Sequence, residues 1–147
     1  MQIEAAGLRD VFAYWDKLRG ARIAPARREI RPDQIPRAML PSLFIIEVIA
    51  GPKQQFRYRL FGTEVTKEYG SDPTGKFAHE VDLDSIADRI IGIYETVAAT
   101  AQPSIKKWRY AKSDGRVLDY ESLILPLSDD GATVNFLLGA AVGTGVG

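Results

Sequence analysis

The sequence predicts an α+β fold, an antiparallel sheet with helices against one face and a further helix flanking it at the N-terminus. Five segments read as strands, and two of these are apolar on both alternating parities. Two longer segments repeat apolar residues every three to four positions, the period of a helix lying on a core. Ser-Asp-Gly and Ser-Asp-Asp-Gly turns link the last three strands, which makes neighbours antiparallel.

Residues 5–20 place Leu8, Val11, Phe12, Trp15 and Leu18 on one helical stripe, which Gly20 can stop. Residues 21–41 carry several arginines with Pro25, Pro32, Pro36 and Pro41. An interior proline loses a helical hydrogen bond, so this stretch is an ordered connector lying against the domain. Asp33 is placed as the cap of a short turn of helix reaching about Leu40.

The pattern changes at Leu43. Residues 43–49, LFIIEVI, are apolar on both parities except at Glu47, and Gly51-Pro52 then turns the chain. In residues 54–61, Phe56, Tyr58 and Leu60 are expected on one face, with Arg57 and Arg59 on the other. Thr63 is placed as the cap of a short helix over TEVTKEY, closed by Gly70, and GSDPTGKF follows as a loop. The longest helix starts at Asp84 or Ser85, runs to about Ala101 and aligns Ile86, Ile90, Ile93, Tyr94 and Val97. Strands at 105–111, 117–125 and 133–142 complete the chain. Those at 43–49 and 134–142 belong in the centre of the sheet; the charged alternation of 54–61 and 105–111 suits edges.

The chain of 147 residues fits one domain, and its 46% hydrophobic and 26% charged residues fit a folded one. Nineteen basic and nineteen acidic residues cancel, which speaks against a nucleic-acid partner. The absence of cysteine excludes disulfides, thiolate chemistry and a cysteine–flavin adduct. The opening MQIEAAGLRD is not a secretory signal, and no run of about 18 apolar residues is present. A cytoplasmic protein without a membrane partner is expected.

Gly62 ends the second strand and is followed by Glu64, Val65 and Gly70; Asp114-Gly115 and then Pro126 with Asp130-Gly131 mark the later turns. In this order of elements the chain resembles a PAS domain. It is closer still to small bacterial PAS-like proteins with an N-terminal tryptophan-containing helix. Trp15, Arg19-Gly20, Pro25, Arg27, Pro32, Ile35-Pro36, Leu40-Pro41, Tyr58-Arg59, Gly62-Thr63 and Thr74-Gly75 carry that resemblance across residues 8–142. It implies a five-stranded sheet ordered 2-1-5-4-3, in agreement with the burial argument. It also implies an N-terminal helix and proline-rich connector over 1–42 and a PAS-like part over 43–147, together one structural unit. No cofactor is implied, because PAS domains hold haem, flavin, metabolites or nothing.

By alternation Trp108 and Tyr110 share a face, as do Tyr120, Ser122 and Ile124. The resemblance turns these faces, with Leu137 and Gly139, toward the long helix and Tyr94. Tyr94, Trp108, Tyr110, Tyr120, Ser122 and Leu137 are therefore the candidate ligand-binding residues, apolar with a few hydroxyl and indole donors. The alternative is that these rings fill the core.

Other chemistry reads as structural. His79, the only histidine, precedes the long helix and is read as a loop-packing or surface residue rather than a haem ligand. Asp82, Asp84 and Asp88 suit a helix start better than a metal, since the calcium-loop spacing is missing. GSDPTGK lacks the order of a phosphate loop, and no serine–histidine–acid arrangement exists. An enzyme is not expected; a ketosteroid-isomerase-like cone would need an acid on the inner face.

Lys107 and Arg109 share the outer face with Asp119 and Glu121, so cross-strand charge pairs are expected there. The Phe12–Trp15 stripe needs a cover, from its own sheet or a second subunit, and a homodimer through this helix is expected. The chain ends close after its last strand, so a signal is expected to pass in trans to another protein. Two functional readings follow: a sensory or regulatory module that binds a small molecule, and a ligand-free interaction adaptor.

Overall fold

Strands that are apolar on both faces can be buried only from two sides, and the chain folds accordingly. The computed structural model describes residues 2–81, 87–111 and 115–146, with the side chains of residues 68, 69, 87, 110, 111, 145 and 146 outside the description. The described elements are α1 (Ala6–Arg19), β1 (Leu43–Ile49), β2 (Gln55–Phe61), α2 (Thr63–Tyr69), α3 (Ala87–Thr100), β3 (Ser104–Ala111), β4 (Val117–Leu127) and β5 (Phe136–Val146). The five strands form one antiparallel sheet in the order β2-β1-β5-β4-β3. The apolar strands lie inside and the charged alternating ones at the edges, as their patterns require.

Alternation then makes two cores. Leu43, Ile45, Leu123, Leu125, Leu138 and Ala140 pack on Leu8, Val11 and Trp15 of α1. Phe44, Ile46, Phe56, Tyr58, Ile124 and Leu137 pack on Tyr94 and Val97 of α3, with Val65 of α2. The stripe on α1 is thus covered by the chain's own sheet: Leu8 and Val11 are fully buried, and Trp15 is 2% exposed. The Trp15 indole N–H donates to the Pro126 carbonyl at 2.8 Å, which satisfies its polar edge inside the apolar layer.

The connector is three short 3-10 turns, Arg27–Glu29, Pro32–Gln34 and Arg37–Ser42, rather than one turn of helix capped by Asp33. Asp33 lies inside the second turn and Pro36 separates it from the third, which holds Leu40, so no single helix joins the two. Glu29 accepts from Arg22 at 2.7 Å and from the Ala26 amide at 2.8 Å, which holds its carboxyl down to about 2. The Ser128 amide donates to the Pro25 carbonyl, pinning the connector to the end of β4.

Register departs from simple alternation in β2. Ile45 faces Leu60 while Ile46 faces Tyr58, so β2 carries one extra residue at this point. Phe56 and Tyr58 turn inward as expected, but Leu60 is 50% exposed. Phe61 takes the inner position instead, its ring 5.4 Å from that of Phe44.

The cap of α2 also differs. Gly62 holds the N-cap position and Thr63 is already helical. The Gly62 amide donates to the Leu43 carbonyl at 2.7 Å, and a Cβ at this position would lie 2.3 Å from the Pro41 carbonyl oxygen. Only glycine fits that approach. Gly70, with φ of 104°, closes α2 as the sequence suggested. The loop that follows covers the middle of the outer edge of β2: Gly75 donates to the Tyr58 carbonyl, and the Tyr58 amide donates to Lys76.

On the outer face Arg109 pairs with Asp119 at 2.9 Å, as expected from the ladder. Lys107 does not pair with Glu121. It reaches Glu4 at 2.5 Å, because the segment leading into α1 lies across β4 and takes the Glu121 carboxylate for its own amides. The start of the long helix at Asp84 or Ser85 falls outside the described residues. Its end is at Thr100, where Ala101 adopts φ of 56° and donates to the Val97 carbonyl.

These assignments separate substitutions by register. Leu60→Ala is expected to change stability by less than about 0.5 kcal/mol, and Phe56→Ala to cost about 3–5 kcal/mol, in urea denaturation. Gly62→Ala is expected to cost about 1–3 kcal/mol in the same measurement, through overpacking against Pro41.

Candidate functional site

The expected site residues fall into two groups on the inner face. Tyr94 and Leu137 are buried in the aromatic core beneath α3. Tyr94 lies 5.7 Å from the Phe56 ring and 6.3 Å from the Tyr58 ring, measured between centroids. Its hydroxyl shares a 2.8 Å hydrogen bond with the Tyr58 hydroxyl, so the one polar point of this core is paired internally. Burial raises the Tyr94 hydroxyl well above the usual phenol range, and the neighbouring Tyr58 adds to the shift.

Trp108, Ser122 and Tyr120 form the second group, half-buried on the β3–β4 ladder. The Trp108 indole N–H donates to Ser122 Oγ at 2.9 Å, and Trp108 faces Tyr120 across the ladder. The Arg89 guanidinium of α3 lies 4.8 Å from the Trp108 ring centre, which places the indole under the long helix. The side chain of Tyr110 lies outside the described residues. Tyr94 and Trp108 therefore share a layer, but the first belongs to a closed aromatic core and the second to a polar, partly open margin.

Tyr58 and Arg89 were not among the expected site residues. The alternation of β2 already put Tyr58 inward; what the sequence lacked was its pairing with Tyr94, a contact between residues 36 apart. Arg89 sits four residues before Ile93, a spacing that shares a helix face.

The remaining candidates occupy structural positions. His79 is exposed and stacked on Phe77, with ring centroids 5.6 Å apart. Asp88 is exposed on α3, whereas Asp82 and Asp84 lie outside the described residues. Among the described residues no three His, Asp or Glu side chains gather to hold a metal ion. In the GSDPTGK loop Asp72 accepts from the Thr74 amide and hydroxyl, an Asx turn rather than a phosphate cradle. A cleft of about 480 Å³ opens elsewhere, between α1 and the end of α3, lined by Phe12, Trp15, Arg19, Arg22 and Gln102 among others. Its two guanidiniums are already engaged by Asp16 and Glu29.

The sequence profile of the PAS domain matches residues 3–142. The chain belongs to the PAS domain family. This is a family of sensory modules, and the order of strands, the long helix and the flanking helix described above are its architecture. Comparison with curated protein sequences gives no match. Among solved structures, the PAS domain of Bordetella pertussis BvgS is similar at 16% identity and a TM-score of 0.60, over 74% of this chain and 79% of that one. The LOV protein of Rhodobacter sphaeroides is similar at 12% identity and a TM-score of 0.54, over 74% of this chain and 64% of that one. This chain therefore aligns with just under two thirds of the LOV protein. The LOV domain of the Erythrobacter litoralis EL346 blue-light activated histidine kinase gives 14% identity and a TM-score of 0.52, over 71% and 95%. At these identities the likeness is one of fold. Among the described residues no helix is long and apolar enough to cross a membrane.

The Tyr58–Tyr94 pair yields a prediction in two parts. Tyr94→Phe removes this hydrogen bond and is expected to cost about 0.5–1.5 kcal/mol. Because the folded Tyr94 holds its proton more tightly than an unfolded tyrosine, its contribution is complete below about pH 10 and declines as the pH rises further. Urea midpoints on either side of about pH 10 should fall more steeply in the unmodified chain than in Tyr94→Phe.

Proposed function

We propose that this PAS domain is a regulatory sensor that binds a small molecule at the margin between α3 and the β3–β4 ladder. Its occupancy is passed to a protein partner, or to a second copy, through α1 and the outer face. The observation that carries this reading is the half-buried Trp108–Ser122 pair beneath Arg89, which offers an aromatic face and hydrogen-bonding groups beside a filled apolar core. Tyr120 faces Trp108 in the same ladder, while Tyr94 and Leu137 belong to the filled core beside this margin. In this reading Trp108, Tyr120 and Ser122 contact the ligand, and Tyr94 and Leu137 act as the packed core behind them. A ligand shifts the domain only by binding one arrangement of α3 and the sheet more tightly than another.

A second reading has its own support. The rings of Phe44, Phe56, Tyr58, Phe61 and Tyr94 pack edge to face or tilted within 6.4 Å of one another along the chain of contacts, filling one half of the inner face. A domain closed in this way throughout is an interaction adaptor without a ligand.

Native mass spectrometry of freshly purified chain, with a visible spectrum of the same sample, separates the two. The sensor reading expects a stoichiometric bound mass or chromophore, and Trp108→Ala is expected to weaken its retention about tenfold or more. A chain that carries no added mass, and whose tryptophan fluorescence does not respond to a metabolite extract, refutes the sensor reading in favour of the adaptor.

A further inference from the structure

The head of α1 is held from across the sheet. Ala5, its N-cap residue, provides no side-chain acceptor, and the amides of Glu4 and Ala5 stand just ahead of the first helical turn. Both donate to the carboxylate of Glu121 on β4, at 2.9 and 2.7 Å, over a sequence separation of more than a hundred residues. Glu121 is completely buried. Among the described residues these two amides are its only hydrogen-bond partners, because Lys107, opposite it in the ladder, reaches Glu4 instead. The end of α1 is tied to the same strand through Trp15 and the Pro126 carbonyl.

Among the described residues no cation pairs with Glu121, since Lys107 is taken by Glu4, so its carboxyl group stays buried only while its donors stay in place. Lifting the two amides strands the charge, so α1 and water exchange places at Glu121 together rather than by degrees. The neighbours of Glu121 on β4 are Tyr120 and Ser122, whose side chains turn to the opposite face toward Trp108. The β4–β5 register also shifts between Asp119 and Tyr120, directly beside this position, where β5 presents Gly143 and Gly145. The extra residue there, Thr144, belongs to β5, so β5 bends away from β4 beside Glu121 and the ladder is locally interrupted.

We infer that Glu121 is a latch that holds α1 on the outer face, and that β4 transmits a change at Trp108 and Ser122 to it. The transmission rests on the proposed binding site; the latch does not. It makes Glu121 a positioning residue, and α1 the element whose docking is regulated.

Amide hydrogen exchange of the whole chain, read by mass spectrometry, tests both parts. In Glu121→Gln one of the two acceptor oxygens becomes an amide NH2 donor facing a backbone N–H. Exchange across α1 is expected to quicken about tenfold or more, while β1 and β5 change less than about twofold. Ala5→Pro removes one donor and leaves Glu121 untouched, at a backbone φ of −70° that proline accepts, and should free α1 in the same way. Lys107→Ala, which removes only the exposed pair with Glu4, is expected to change exchange in α1 less than about threefold. Unchanged protection of α1 in a folded Glu121→Gln overturns the latch. So does loss of β1 and β5 protection in both Glu121→Gln and Ala5→Pro, because α1 would then not be separable from the fold.

Ser122→Ala should quicken exchange in α1 from the opposite face, and no change there overturns transmission along β4. A chain that retains no small molecule and shows no fluorescence response to the extract, yet frees α1 in Glu121→Gln, refutes the binding reading and leaves the latch standing. A chain that binds a small molecule but whose α1 is indifferent to Glu121→Gln does the reverse.

Discussion

Each central strand of this sheet presents apolar side chains to both sides, so two separate covers are needed. β1 sends Leu43 and Ile45 to one core and Phe44 and Ile46 to the other, and β5 divides Leu138 and Leu137 in the same way. α3 and α2 supply one cover, over Phe44, Ile46 and Leu137. α1 supplies the second, and the proline-rich connector exists to carry the chain from that outer layer back to the start of β1. With both layers in place the backbone of the inner strands is dry, and every polar group within it needs a partner.

Those partners are few and specific. Trp15 finds the Pro126 carbonyl, Tyr58 finds Tyr94, and Glu121 finds two amides. Hydrophobic contact alone would tolerate small slips of α1 along the sheet or of α3 across it, because apolar contacts carry little direction. The buried hydrogen bonds admit one position each. They set where α1 and α3 rest, and they set it relative to β4 and β2. The inner and outer layers are therefore connected through the strands rather than through the loops around them.

Period and punctuation made most of this architecture legible. The stripe of Leu8, Val11 and Trp15, the double-sided apolar runs and the turn residues identify elements from local spacing, and burial orders the strands. What escaped was contact between distant parts of the chain. The extra residue in β2 exchanged Leu60 for Phe61, and nothing in QFRYRLF marks where a partner strand will skip. Gly62 displaced Thr63 from the cap because Pro41, far back in the connector, comes too close for any side chain. Glu121 alternates correctly to the outer face, but its partners come from the opposite end of the chain, so cross-strand pairing with Lys107 was the wrong inference. At the candidate site, alternation placed Trp108 and Ser122 together; the division between a closed core around Tyr94 and an open margin around Trp108 depends on packing that one-dimensional spacing does not encode.

The loop that lies along β2 has a consequence for how copies of this domain can meet. Its Gly75 and Lys76 occupy the outward-pointing carbonyl and amide of Tyr58, so at this residue the edge has no free backbone group to offer another chain. β3 closes the other end of the sheet and, among the described residues, pairs only with β4. A sheet with two open rims can recruit strands on both sides and lengthen into a fibre. Here the β2 rim is interrupted at its centre, so a strand arriving on that side cannot form a continuous ladder, and growth from β2 is checked.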